Sequence, residues 1–141
     1  LAEKRRIFVT GAAGYIGRML VDRLLQQEYV SQVIATDIRE LVTAQAHPKL
    51  VFVKVDIRSP LIGELMQRHQ VDTVVHLATI VTPDKHISRK LEYEVDVLGT
   101  RNVLQGCVDA GVRQLIVTSS GAVYGYYPDA PEWLSETDPL R

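Results

Sequence analysis

The sequence holds a single cysteine, Cys107, among 141 residues. A lone thiol forms no internal disulfide, and its place in a helical pattern makes it a small core residue rather than a nucleophile. Charge is nearly balanced, with 16 Lys and Arg against 17 Asp and Glu. No basic excess points to nucleic acid, and no acidic excess points to disorder. No apolar run approaches the length that crosses a bilayer. The residues before the first strand, Leu-Ala-Glu-Lys-Arg-Arg, lack the apolar core of a secretion signal. A cytoplasmic protein with neither a nucleic-acid nor a membrane partner is the expectation. There is no internal repeat, low-complexity tract or interdomain linker. No Gly-x-Ser-x-Gly elbow suggests a serine hydrolase. No second histidine or acid stands at ligand spacing from His76, so no metal site is indicated. The rest is ordinary: 46% hydrophobic and 23% charged, enough for one domain with a real core.

What is present is organised around Thr10-Gly11-Ala12-Ala13-Gly14-Tyr15-Ile16-Gly17. It follows the apolar run Ile7-Phe8-Val9, read as a buried strand. It opens onto a helix from Tyr15 to about Gln27, in which Ile16, Met19, Leu20 and Leu24 recur at helical spacing. Strand, glycine-rich turn and helix in that order make a phosphate site, because a helix N-terminus points unpaired N–H groups and a positive dipole end at an anion. Gly11 permits the tight turn, Gly14 lets a pyrophosphate approach the backbone, and Gly17 lets the helix pack close to the sheet. Ala13, Tyr15 and Ile16 share this stretch and are expected cofactor contacts.

Strand and helix then alternate. Ser31 to Thr36 is a second strand ending at Asp37, and an irregular or weakly helical connection stops at His47-Pro48. Val51 to Val55 is a third strand. Ser59-Pro60 reads as an N-cap with proline at the first position of a helix that runs to about His69. Thr73 to Leu77 is a fourth strand. A polar loop with Pro83-Asp84 leads to a long helix, Ser88 to Ala110, ended by Gly111. Gln114 to Thr118 is a fifth strand. This pattern implies an α/β, doubly wound (Rossmann) parallel sheet of order 3-2-1-4-5 with both faces covered.

Ligands of such sheets bind beyond the carboxyl ends of the strands. Those ends carry Gly11 to Gly14, Asp37, Asp56, Leu77-Ala78 and Ser119-Ser120, so the polar and small candidates fall on one rim. Asp37 lies 20 residues beyond Gly17. A carboxylate there accepts hydrogen bonds from both ribose hydroxyls of adenosine and repels a 2′-phosphate, favouring NAD over NADP. Arg39 complicates that preference, since a guanidinium accommodates a phosphate. His76, at a buried strand end, reads as a packed, hydrogen-bonded core residue.

The glycine spacing, TGxxGxxG, resembles the extended branch of the short-chain dehydrogenase/reductase superfamily, the NAD-dependent epimerase/dehydratase family. Four further segments carry the resemblance. Asp56-Ile57 resembles the pair that brackets adenine, the carboxylate taking the amino group and the next residue packing on the ring. His76-Leu77-Ala78 resembles the family's His-x-Ala, where small residues let Leu77 and Ala78 approach the cofactor. Asp96 to Leu104 resembles Asn-x-x-Gly-Thr-x-Asn-hydrophobic-Leu, with Asp96 in place of an Asn that supports the active-site strand. An ionised Asp accepts but does not donate, so that support must differ here. Gly99 weakens a helix and suggests close helix-on-sheet approach. Ser119-Ser120-Gly121-Ala122-Val123-Tyr124-Gly125 resembles Ser-Ser-x-x-Val-Tyr-Gly, which makes Ser120 the catalytic serine that binds the reacting hydroxyl or carbonyl, Ser119 its support and Tyr124 a pocket wall.

The family's Tyr-x-x-x-Lys does not occur in these residues. Tyr124, Tyr126 and Tyr127 are followed four positions on by Pro128, Ala130 and Pro131. The resemblance therefore implies residues 1–141 as an incomplete NAD-binding domain, without the last strands or the C-terminal substrate domain. The parent would be an oxidoreductase or epimerase moving hydride to and from NAD on a nucleotide sugar or related alcohol or ketone. The fragment itself would be inactive. A steroid-like or other small-molecule dehydrogenase, or an NAD(P) sensor without catalysis, are the alternatives. The family also implies a homodimer through the long helix.

Overall fold

The computed structural model describes residues 4–42, 46–81 and 88–141. Five parallel strands, β1 (Arg5–Thr10), β2 (Val30–Asp37), β3 (Leu50–Lys54), β4 (Thr73–His76) and β5 (Gln114–Val117), pair in the order β3-β2-β1-β4-β5. This is the doubly wound order that the strand–helix alternation implies.

Alternation along each strand builds two cores. Ile7, Val9, Val33, Ala35 and Val75 face one side, where helix α1 (Tyr15–Leu25) covers them with Val21, Leu24 and Leu25. Phe8, Ile34 and Val74 face the other, beneath helices α2 (Leu61–Arg68) and α4 (Thr100–Asp109), which bring Ile62, Leu65, Met66, Val103 and Cys107. Both faces of the central strands are thus apolar, as a parallel sheet requires. Full burial of a Phe, Ile or Val side chain stabilises by roughly 1.5–3 kcal/mol.

Helix α1 differs from the sequence pattern in phase. Its buried positions are Gly17, Val21, Leu24 and Leu25, while Ile16 and Met19 are each 60% exposed. The cause is Gly17: it must face the sheet, so the buried stripe is the one at four, seven and eight residues beyond it. The helix also ends at Leu25, two residues short of Gln27.

The long helix is not one regular helix. It begins as α3 (Arg89–Glu92), widens into a π-helical segment over Tyr93–Gly99, and resumes as α4. Ser88 caps the start, its hydroxyl accepting from Leu91 N at 3.2 Å. At the far end Gly111 takes φ +66°, and the amides of Gly111 and Val112 return to Val108 O and Cys107 O. That is a Schellman ending, as Gly111 leads one to expect. Helix α2 begins one residue later than read, at Leu61, with the Ser59 hydroxyl accepting from Leu61 N at 3.3 Å. The polar loop with Pro83-Asp84 lies outside the described residues.

Asn102 on α4 donates through Nδ2 to Ile57 O at 2.7 Å and Ser59 O at 2.9 Å. It pins the turn after β3 to the helix layer. Replacing Asn102 by Leu leaves two partly buried carbonyls without this donor, and the expected loss is about 1–3 kcal/mol in urea unfolding. An unchanged midpoint would show that water serves those carbonyls equally well.

Candidate functional site

Register brings the strand ends level. Thr10 pairs with Thr36 on one side and His76 on the other, and His76 pairs with Val117. The residues that follow, Gly11, Asp37, Leu77 and Thr118, therefore share one edge of the sheet.

The glycine turn is shaped by close approach. Gly11 takes φ +68°, and a Cβ on it would sit 2.7 Å from Ala78 N. A Cβ on Gly17 would meet Ala12 Cα at 2.7 Å. Gly14 caps α1 with extended dihedrals and, being glycine, has no side chain to bond the first-turn amides. The first turn also holds no acidic residue. Gly14 N is satisfied by Gly11 O at 3.0 Å, and Arg18 N begins the helical ladder on Gly14 O. The amides of Tyr15, Ile16 and Gly17 precede that ladder, with the positive end of the dipole behind them. Tyr15 and Ile16 are exposed beside it. The chemistry on offer is anion binding by backbone.

Asp37 is buried at the end of β2. Its Oδ2 accepts from Ala13 N at 2.9 Å, which ties it to the glycine turn. Its Oδ1 accepts from Arg39 N at 2.9 Å and from Arg39 Nε at 3.3 Å. Each carboxylate oxygen has more than one acceptor site, so capacity for further donors remains. Arg39 reaches toward the turn, its guanidinium 3.8 Å from where a Cβ on Gly14 would lie.

After β3, Asp56 lies beside Arg58, which donates from its backbone at 2.8 Å and from Nη2 at 2.7 Å. The hydrogen bond from the Arg58 side chain is the main force holding the Asp56 carboxyl below its usual range. Arg58 also bridges to Glu94 at 3.1 Å, joining this turn to the π-helical segment. Ile57 is only 6% exposed, and Gly99 comes down on it: a Cβ there would be 2.7 Å from Ile57 Cδ1. Close helix approach at Gly99 is thus real, and its object is the Ile57 side chain.

At the end of β4, His76 is buried and hydrogen-bonded on both ring nitrogens, Nδ1 to Thr10 Oγ1 at 2.6 Å and Nε2 to Thr100 Oγ1 at 2.9 Å. Burial pushes its pKa down, against a smaller upward pull from Asp96. The Thr10 hydroxyl also receives the amides of Leu77 and Ala78, at 3.1 and 3.2 Å. Sequence reading gave Thr10 no separate role; the only available signal was its place before Gly11. Asp96 Oδ1 accepts from Ile80 N at 3.0 Å, a bond that an ionised carboxylate makes without needing the donor that an Asn supplies. A cavity of about 220 Å³ opens between His76, Asp96, Thr100 and Thr118. A larger hollow of about 400 Å³ lies at the other end of the strands, by Arg6, Asp72 and Asp109. Its Asp72 is held by Arg5 and the Arg6 amide.

Ser119 and Ser120 follow β5 and are exposed. Ser120 Oγ accepts from Ala122 N at 3.2 Å, capping a 3₁₀ turn over Gly121–Tyr124. Its hydroxyl proton is still available to donate.

A family model described as the NAD dependent epimerase/dehydratase family matches residues 7–141. A UDP-glucose 4-epimerase of Halalkalibacterium halodurans is 34% identical over 135 residues, covering 94% of this chain and 39% of that protein. The human sterol-4-alpha-carboxylate 3-dehydrogenase, decarboxylating, is 30% identical over 128 residues, covering 86% of this chain and 30% of that one. Among solved structures, the Streptomyces venezuelae dTDP-glucose 4,6-dehydratase DesIV, with NAD and TYD bound, superposes with a TM-score of 0.77 at 34% identity, covering 96% of this chain and 45% of its own. The chain therefore spans less than half the length of these proteins. With the family model matching residues 7–141 and these relatives at 30% identity or more, the chain belongs to the NAD-dependent epimerase/dehydratase family, in the extended branch of the short-chain dehydrogenases/reductases.

Proposed function

We propose that residues 1–141 are the cofactor-binding part of a longer enzyme that moves hydride between NAD and a carbinol carbon of a nucleotide sugar. The observation that carries this reading is the glycine-capped start of α1, which follows a turn tied to Asp37 through Ala13 N. The pyrophosphate would sit on the Gly11–Gly17 turn, the adenosine ribose on Asp37, and the adenine near Asp56 and Ile57. Leu77 and Ala78 would bring backbone close to the cofactor's sugar and phosphates. NAD, when bound, supplies the hydride acceptor. Ser120 would donate to the reacting oxygen, with Ser119 as its support. The general acid/base would be a tyrosine in a Tyr-x-x-x-Lys beyond Arg141. Nucleotide sugars are favoured by the UDP-glucose epimerase and dTDP-glucose dehydratase among the relatives. The sterol dehydrogenase among them supports a steroid-like alcohol as the second reading. A cytoplasmic setting belongs to the same proposal, supported by the lone buried thiol.

The expected ligand is NAD rather than NADP, because the buried Asp37 carboxylate would oppose a 2′-phosphate. Calorimetry should find NAD bound more tightly than NADP. Replacing Asp37 by Ser should weaken NAD roughly tenfold or more and narrow the gap to NADP, given about 1.5–3 kcal/mol for a hydrogen bond to a charged group. Equal affinity for both dinucleotides in the native chain would refute the Asp37 assignment.

The reading frame past the Arg141 codon should encode Tyr-x-x-x-Lys within a few codons, and the 141-residue chain should not turn over NAD with any alcohol or nucleotide sugar. A frame that continues without that pair would make a non-catalytic dinucleotide sensor the better description.

We also propose a homodimer through the helix from Arg89 to Asp109, supported by the exposed apolar residues Tyr93, Val97, Leu104 and Val108 along it. Sedimentation should show a dimer that Val108→Glu converts to monomer. A native monomer at all concentrations would discard it.

A further inference from the structure

The hydrogen bonds around Thr10 assign the proton on His76. A threonine hydroxyl has one proton to donate and two acceptor sites. Ala78 N at 3.2 Å and Leu77 N at 3.1 Å are donors only, the latter shared with Thr10 O at 3.3 Å, and together they occupy the acceptor side of Thr10 Oγ1. The hydroxyl proton must then point to the remaining neighbour, His76 Nδ1 at 2.6 Å. Nδ1 is therefore an acceptor without a hydrogen, and the ring proton sits on Nε2, directed at Thr100 Oγ1 at 2.9 Å.

A second proton has no place in this arrangement. An Nδ1–H would face an oxygen already filled by two amides, and one of the three contacts would have to break. The two amides at risk belong to the backbone on which the glycine turn rests, since a Cβ on Gly11 would lie 2.7 Å from Ala78 N and 2.8 Å from Leu77 C. The carbonyl of His76 also receives the Thr118 amide at 3.3 Å, which carries the connection to the end of β5.

We propose that His76 is a positioning residue for the dinucleotide site: its neutral ring, protonated on Nε2, holds the Leu77–Ala78 backbone beneath Gly11, and a second proton releases that backbone. The effect on affinity rests on the NAD reading above; the effect on the backbone does not. Among the described residues, the elements packed against it fit a neutral ring. β1 brings Thr10, β5 brings Val117 and Thr118, and α4 brings Thr100, all uncharged. Among the described residues the charged group acting on His76 is Asp96, from the π-helical segment. Burial outweighs it and holds the ring below its ordinary value of 6.5. The folded state thus resists the proton: its stability is complete above that ordinary value and is lost as pH falls through the lower folded one.

The test is a pH titration of the ¹⁵N-labelled 141-residue chain by NMR. A long-range proton–nitrogen spectrum near neutral pH should show Nδ1 without hydrogen and Nε2 with it. On acidification the amides of Leu77, Ala78 and Gly11 should shift with the same midpoint as the His76 ring. Asp96→Asn should lower that midpoint. A ring carrying its hydrogen on Nδ1, or one that titrates while those amides stay still, overturns the proposal. In a second arm, NAD affinity should fall about tenfold for each pH unit below the His76 midpoint, as the competent fraction does. The non-titrating His76→Gln should show no such slope; the native slope persisting in it also overturns the proposal. Amides that follow the ring in a chain that binds no NAD at neutral pH would support the positioning role and defeat the cofactor reading.

Discussion

Everything at the rim depends on one close contact. Gly17 rests against the Gly11 carbonyl and Ala12 with no room for a Cβ between them. That contact fixes the rotation of α1, because a helix that must present Gly17 to the sheet must also present Val21, Leu24 and Leu25. The same rotation turns Ile16 and Met19 outward. It also aims the first-turn amides past the end of β1 rather than into the core. The buried stripe of α1 and the exposure of Ile16 and Met19 are thus two consequences of one backbone approach.

Side chains with spare acceptor sites then hold the loops in place. Asp37 ties the glycine turn to β2 through Ala13 N, and Thr10 ties β1 to the segment after β4 through two amides. Asp96 reaches Ile80 N from the helix layer. In each case an oxygen on a regular element collects backbone N–H groups from an irregular one. Buried or half-buried amides need such partners. Such bonds tie each loop to the regular element beside it.

Much of this was legible in the sequence. Apolar runs of two to four residues marked the strands, and the alternation with helices led to the sheet order. The glycine spacing placed the turn, and the polar residues at the strand ends placed Asp37, Asp56 and Ser120 on one edge. The phase of α1 was not legible, because Ile16 and Met19 are as apolar as Val21 and Leu25, and only the backbone contact at Gly17 distinguishes the two stripes. The partners of Asp56 were equally hidden. An Arg two residues on is a surface residue in most settings, yet here it closes on the carboxylate and also bridges to Glu94.

The π-helical segment shows why the long helix carried information that its periodicity did not. Tyr93 to Gly99 contains ordinary helix-compatible residues, and nothing in their spacing asks for a wider turn. The demand comes from three contacts made at once. Glu94 meets Arg58 at 3.1 Å, Asp96 meets Ile80 N at 3.0 Å, and Gly99 settles on Ile57. Inserting a wider turn shifts the register of side chains along the helix relative to the sheet. Here it accompanies an acid that reaches the loop after β4 and a glycine that lies over the turn after β3. The rim is therefore bounded on its helix side by tertiary contacts that override local periodicity.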